Sequence, residues 1–369
     1  MPNNEAQSSE APLGVHAAEK HMGAQGFVAY LAERHQAIED ALRRTQPNAG
    51  KAGEPGDGIR LDLSRYLYDP LSRFTSSGGK RTRPALCMLG AEAVGADPAR
   101  ALSFACAVEN FQSAALIHDD IADKGELRRG EPCVHVTEGV GVAINIGDLA
   151  LVNASRVVLD DATLGAETKL RLLRELTALE ERTIEGQALD LGWVRDGRWN
   201  ITPDDYLYMA AHKTAYYSAA VPLAAGAICG GASERQVGAL REFGMSCGLA
   251  FQLQDDLLNL VGNAAAQGKD FRSDITEGKR TLAAVWALAQ LDEDERAELQ
   301  ALLDSGTTDE GDLARTVELM RQSGAIEHVR DEARRLVDDA KGRLASADFF
   351  PKSYATLISM ADFFVERLG

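Results

Sequence analysis

No CxxC spacing links the five cysteines, Cys87, Cys106, Cys133, Cys229 and Cys247. Most of them lie in apolar surroundings and read as buried thiols rather than ligands or disulfides. The odd count and plain spacing fit a reducing, cytoplasmic setting. Basic charge is also scarce: 39 Lys and Arg face 56 Asp and Glu, a net charge of -17. That balance argues against general nucleic-acid binding and against a polybasic membrane surface. Local basic clusters become more informative for the same reason. No run of about 18 uncharged apolar residues occurs without polar interruption, so no membrane span is expected. Residues 219–232 are apolar and small, but too short to span and rich in glycine. The N-terminus lacks a basic segment followed by an apolar core, so no signal peptide is expected. Finally, no Val/Ile/Thr alternation bounded by turns demands a sheet.

What is present is helical. With 45% hydrophobic residues the chain can build a sizeable core. No obvious linker divides it, so one large domain is expected over residues 25–369, after a flexible tail over 1–24. Residues 26–44 fit an amphipathic helix, and 45–58 have linker composition. A helix over 61–74 and a glycine-bearing break at 75–80 follow, with Pro84 in the first turn of the next helix. Asp97 and Pro98 start a helix that runs to about residue 123. Further helices are expected over 140–160 and 166–193, then from Thr202 through Lys213, and from Ser233 to the residues around 256. Another begins at Lys279; after a polar loop at 304–311 the remainder is helical. The expected fold is all-α, a helical bundle with a central cavity, since several helices are apolar nearly all round.

One stretch organises the rest: LIHDDIADKGELRRGEPC, residues 116–133. Asp119, Asp120 and Asp123 stand at i, i+1 and i+4 near the end of an apolar helix, so at least two carboxylates share a face. Arg128 and Arg129 follow. Carboxylates beside arginines can pair with one another. They can also hold magnesium through oxygen while the arginines grip a phosphate. A second copy, QLQDDLLN, places Asp255, Asp256 and Asn259 at the same spacing near another helix end. The negative end of a helix dipole disfavours carboxylates, so a chain that puts them there twice points to bound cations.

Six motifs in order make the chain resemble the trans-type polyprenyl diphosphate synthases of the isoprenoid synthase superfamily, most of all those making geranylgeranyl diphosphate. They are GGKRTRP (78–84), DDIAD with LRRG (119–130), GQALD (186–190), HKT (212–214), FQLQDDLLN (251–259) and GKDFRSDITEGKRT (268–281). The resemblance runs from about residue 61 to the C-terminus. It implies head-to-tail elongation: an allylic diphosphate ionises, the double bond of isopentenyl diphosphate attacks the cation, and a proton leaves, with the departing pyrophosphate as the base. It also implies about three magnesium ions that stabilise the leaving charge. By the same resemblance Asp119, Asp120, Asp123 and Asp255 are metal ligands, with Asp256 at or just behind them. Lys80, Arg83, Gln112 and Arg129 match the isopentenyl diphosphate site. Arg128, Lys213, Thr214, Gln252, Lys269 and Lys279 match the allylic diphosphate site. Asp119, Asp120, Asp123 and Asp255 with Arg128, Lys213 and Lys269 form the expected catalytic group.

Two positions depart from the pattern. Asn259 stands where many members have a third aspartate, and Gln112 where many have histidine; both side chains can still serve polar partners. Gln187 and Asp190 are expected near the carbocation and Lys213. Arg81 reads as a structural or outlying residue, and His118, His135 and His212 as satisfied rather than ligating. Ala114 and Ala115, one turn below Asp119, are small, which does not support a C15 stop there. Phe111, about 12 Å below Asp119 by helix rise, is the expected floor of the chain-length pocket. That favours a C20 product over a longer one. A class I terpene cyclase is disfavoured because LLNLVGNAA after Asp256 lacks the serine and glutamate of the cyclase metal motif. A non-catalytic subunit of a heteromeric synthase is disfavoured because five of the six motif aspartates are kept. The resemblance implies a homodimer.

Overall fold

Alternating caps and apolar runs set the helix boundaries along this chain. The computed structural model describes residues 23–51, 56–262, 272–345 and 347–366. Helix α1 (Gly23–Thr45) buries Phe27, Leu31 and Ile38 along one stripe and is followed by a single turn at Ala49–Lys51. The expected tail lies outside the described residues except for its last two, which open α1. Helices α2 (Asp57–Leu63) and α3 (Asp69–Ser76) are joined by a π-helical turn, Ser64–Tyr68. Helix α4 (Thr82–Ala93) starts after Arg81 and carries Pro84 in its first turn. Asp97 caps a 3-10 turn, Pro98–Ala101, that leads into α5 (Leu102–Ala122). Two-residue strands Leu127–Arg128 and Glu131–Pro132 then form a small antiparallel ladder.

Helices α6 (Val134–Glu138), α7 (Val140–Asp160) and α8 (Ala166–Arg195) follow. A capping box between Thr202 and Asp205 opens α9 (Pro203–Ala210). That helix passes through a π-helical stretch, Ala211–Ala220, into α10 (Val221–Gly230). A second box, Ser233 with Gln236, opens α11 (Glu234–Val261). The C-terminal part comprises α12 (Ser273–Thr276), α13 (Leu282–Gln290), α14 (Glu293–Asp304), α15 (Glu310–Gln322), α16 (Ala325–Leu344) and α17 (Pro351–Val365).

One expectation needs correction. The helix expected from Lys279 begins only at Leu282, because the Thr281 hydroxyl accepts from Ala284 N and fixes the start there. The C-terminal remainder is helical in several pieces: Gly324 takes a left-handed conformation (φ 75°) between α15 and α16, and a break precedes Pro351. Helix α7 is long and apolar enough to cross a membrane by length and composition alone, with Asp148 and Arg156 interrupting its apolar run. In the fold its inner face buries Ala143, Ile146, Ala150 and Ala154, where it packs along α5.

The centre of the bundle is built from α4, α5, α10 and α11. Every residue from Val221 to Cys229 in α10 is buried, as are Ala85 to Leu89 of α4. Such helices have no polar face to offer water, so others must surround them. All five cysteines are buried thiols.

Candidate active site

The polar residues that break these apolar helices converge on one cavity of about 1000 Å³. One wall is the end of α5. Asp119 accepts from Gln187 Nε2 of α8 at 2.8 Å. Asp123 faces Lys279 Nζ at 3.4 Å. Burial, with help from Asp119 and Glu277 and against Lys279, pushes the Asp123 carboxyl up to about 6. Asp120 is buried and pairs with Arg128, whose Nε lies 2.9 Å from Oδ1. The simple carboxylate–arginine pairing is therefore realised at this one pair. The other oxygen of Asp120 is buried without a partner among the described residues.

Opposite stands α11, with Asp255 and Gln252 on the cavity wall. Its second aspartate sits deeper. Asp256 accepts from Tyr206 Oη at 2.5 Å and from Gln252 Nε2 at 2.6 Å, and its exposure is 7%. Burial, then Asp274, raises its carboxyl well above the usual range. Asp256 thus sits at the cavity wall with its carboxyl held by two neutral donors. Asn259 ties α11 to α12, donating to Ser273 Oγ and accepting from Asp274 N, both at 3.2 Å.

Two cationic clusters flank the carboxylates. Lys213 donates to Asp190 at 2.5 Å, and Lys279 reaches Asp190 at 3.4 Å and Glu277 at 3.1 Å. Burial opposes the Asp190 charge, yet the two lysines hold its carboxyl below the usual range. Burial likewise opposes charge on Lys213, and Asp190 outweighs it to raise that lysine. Lys213 and Thr214 sit in the π-helical stretch, a geometry frequent at functional sites. Arg280 fixes the neighbouring backbone: it stacks on Trp199 at 3.8 Å and donates to Gly278 O, Arg198 O and Asp304.

The second cluster surrounds the 77–81 loop, where Gly78 and Gly79 have φ of 92° and 132°. Lys80 and Arg83 line the cavity, as do Gln112 and Arg129. Arg83 donates to Tyr217 Oη at 2.9 Å and Ser218 Oγ at 2.7 Å. Arg129 donates to Gly78 O at 2.6 Å. Gln112, with its amide turned to satisfy both neighbours, donates to Glu109 at 3.2 Å and accepts from Arg83 Nη1 at 3.1 Å.

Not every expected residue reaches the cavity. Ala114 packs in a small core with Leu71, Ile146 and Ala150, and Ala115 lies against the main core. Phe111 is 3% exposed and packs edge-on against Tyr217, ring centroids 5.6 Å apart. Of this pair it is Tyr217 that lines the cavity, with Phe111 packed against it. Lys269 lies outside the described residues. His118 points toward α7, near Asp148 and Ile144 O; His212 stacks on Tyr208. Sequence reading missed Glu109, Tyr206, Tyr217 and Arg280. Only Glu109 carried a signal, as a lone acid inside an apolar helix.

The donor set suits a hard divalent ion held through oxygen. Asp119, Asp123 and Asp255 face one space, and Asp120 keeps an oxygen unsatisfied. Among the described residues no three acidic, His or Cys side chains close into a protein-only cage. That agrees with an ion that keeps waters and shares a ligand's phosphate oxygens.

The family model described as polyprenyl synthetase matches residues 64–320. A short chain isoprenyl diphosphate synthase of Methanothermobacter thermautotrophicus is 40% identical over 313 residues, covering 84% of this chain and 94% of that protein. A geranylfarnesyl diphosphate synthase of Natronomonas pharaonis is 34% identical, covering 91% and 96%. Among solved structures, the geranylgeranyl pyrophosphate synthase of Corynebacterium glutamicum complexed with isoprenyl diphosphate and magnesium superposes with a TM-score of 0.78. It is 29% identical, covering 93% of this chain and 97% of that one.

Proposed function

Because the chain belongs to the polyprenyl synthetase family, and is therefore a prenyltransferase that lengthens isoprenyl diphosphates, we propose that it joins isopentenyl diphosphate to an allylic diphosphate and stops at geranylgeranyl diphosphate. The observation that carries this reading is the opposition of Asp119 and Asp123 on α5 to Asp255 on α11 across one cavity, with a separate cationic cluster on each side.

Each cluster takes one diphosphate. Lys80, Arg83, Gln112 and Arg129 hold isopentenyl diphosphate. Arg128, Lys213, Thr214, Gln252, Lys269 and Lys279 hold the allylic one. Asp119, Asp120, Asp123 and Asp255 hold about three magnesium ions, with Asp256 supporting them from behind. Bound magnesium supplies the positive charge against which pyrophosphate departs. The chain's own part is positional. Gln187 orients Asp119, Asp190 keeps Lys213 and Lys279 together, and Tyr217 backs Arg83.

The C20 stop rests on α5. Ala114 and Ala115 pack in the core, so the stop is placed at the Phe111–Tyr217 pair, about two turns below Asp119, where Tyr217 lines the cavity. The relatives' names span short-chain, geranylgeranyl and geranylfarnesyl products, so a longer product is the second reading. A second copy of the chain covers the outer stripe of α7, where Val140, Ile144, Val152 and Leu159 are exposed at helical spacing.

The test is incubation of purified protein with magnesium, isopentenyl diphosphate and each of the C5, C10 and C15 allylic diphosphates, with products sized by mass spectrometry. A linear C20 diphosphate supports the proposal. Products of C25 or more replace it with the second reading, and absence of elongation removes both. Light scattering on the same sample reads a dimer or a monomer.

A further inference from the structure

Between Lys80 and Arg83 lies an arginine that faces away from the cavity. Arg81 is 4% exposed. Its backbone is left-handed, φ 49° and ψ 36°, a conformation that a residue with a Cβ adopts only against a steric cost. Its side chain is fully engaged on three elements: Nε donates to Glu39 of α1 at 2.6 Å, Nη1 to Glu109 of α5 at 2.5 Å, and Nη2 to Thr75 O at the end of α3 at 2.6 Å. The loop it anchors contains two positive-φ glycines and has little regular hydrogen bonding of its own. A flexible loop could not aim two cations at one diphosphate, so something rigid must fix it.

Glu109 gives the arrangement a second purpose. It is 3% exposed and lies among cations. One oxygen meets Arg81; the other accepts from Gln112, which in turn accepts from Arg83. A buried carboxylate in this place would otherwise turn to the nearest arginine and neutralise it. Arg81 occupies Glu109 and so leaves Arg83 charged toward the cavity.

We propose that Arg81 is a positioning residue for isopentenyl diphosphate: held by Glu39, Glu109 and Thr75, it sets the loop that aims Lys80 and Arg83 and keeps Glu109 off the substrate cations. The inference rests on the assignment of Lys80 and Arg83 to that substrate.

Steady-state kinetics with each substrate varied in turn test it. Arg81→Met raises the KM for isopentenyl diphosphate about tenfold or more, while the allylic KM and kcat stay within about threefold. Arg81→Lys keeps the charge but not the planar fork, and gives a smaller rise in the same KM alone. Arg241→Met breaks a bidentate pair with Glu175 that lies outside the cavity, and serves as a control for general loss of stability. If Arg81→Met changes both KM values and kcat together, as a loosened fold does, the proposal is overturned. If Arg81→Met fails to fold, Arg81→Lys carries the test, and an unchanged isopentenyl diphosphate KM in that variant overturns it. Lys80→Ala separates the two levels. If it leaves that KM unchanged, the substrate assignment itself has failed; if it raises it while both Arg81 variants do not, only the present inference has.

Discussion

Asp190→Asn removes the one buried carboxylate that two lysines share. Asp190 is 4% exposed and holds Lys213 at 2.5 Å and Lys279 at 3.4 Å. Asparagine keeps the shape and loses the charge. Lys279 retains Asp123 and Glu277, but Lys213, whose side chain is 24% exposed, loses its partner. Breaking a buried pair from one side costs about 3–5 kcal/mol, because the remaining charge is left uncompensated. The remaining contacts of Lys279 put this case near the lower end, about 3 kcal/mol. At an unfolding entropy of about 2.1 cal/mol/K per residue, a chain of 369 residues converts that to a fall in Tm of about 4 °C. The same reasoning fixes how the fall responds to ligand. Magnesium pyrophosphate brings negative charge to Lys213, so the gap between variant and parent shrinks to less than half when it is bound. Thermal unfolding by circular dichroism, with and without magnesium and inorganic pyrophosphate, reads both quantities. A fall below about 1 °C without ligand, or an equal fall in both conditions, refutes the idea that Asp190 serves as counter-charge to the lysines.

Three shorter predictions follow from the same cavity. Gly186→Ala builds a Cβ 2.2 Å from Lys213 N, so it costs about 1–3 kcal/mol by overpacking and displaces Lys213; urea unfolding and the allylic kcat/KM should fall together, and an unchanged kcat/KM contradicts the placement of Lys213. Tyr217→Ala opens the wall in front of Phe111 and shifts products to longer chains by mass spectrometry; an unchanged product profile removes Tyr217 from the stop. Asp123 is raised by burial to about 6, above its unfolded value, so between the two values the folded metal-free chain binds the extra proton and loses stability as pH rises. A metal ligand must be deprotonated, so magnesium pyrophosphate binding releases protons near pH 6 and weakens below it; calorimetry in buffers of different ionisation enthalpy that detects no release refutes this.

Local signals in the sequence located most of the fold and many of the residues that line the cavity. The capping boxes at Thr202 and Ser233 and the apolar runs behind them marked α9 and α11, since caps and periodicity are properties of neighbouring residues. Thr281 shows the limit: its capping hydroxyl moved the start of α13 past Lys279, and nothing in the flanking composition distinguished a turn from a first helical turn. Tyr206 and Arg280 were invisible for another reason. Each works on a partner far away in the chain, Asp256 for the first and Trp199 with Asp304 for the second, and such pairs are decided by packing. Phe111 was placed correctly along α5 but not around it, because helix rise gives depth and says nothing of which ring the neighbouring helix puts in front.

The two aspartate motifs, alike in letters, are set up by different physics. The first is embedded in cations and a donor amide: Arg128 on Asp120, Lys279 on Asp123, Gln187 on Asp119. The second has neutral donors around Asp256, a tyrosine hydroxyl and a glutamine amide. Neutral donors in a buried site cannot offset several negative charges, so a third carboxylate there would add repulsion that burial already raises at Asp256. Asn259 avoids it. Its amide donates to Ser273 Oγ and accepts from Asp274 N, contacts that an ionised aspartate could match only by accepting from both groups, with a further negative charge added. Asn259 therefore ties α11 to α12 without adding charge, and leaves Asp255 and Asp256 as the carboxylates of this motif on the cavity wall.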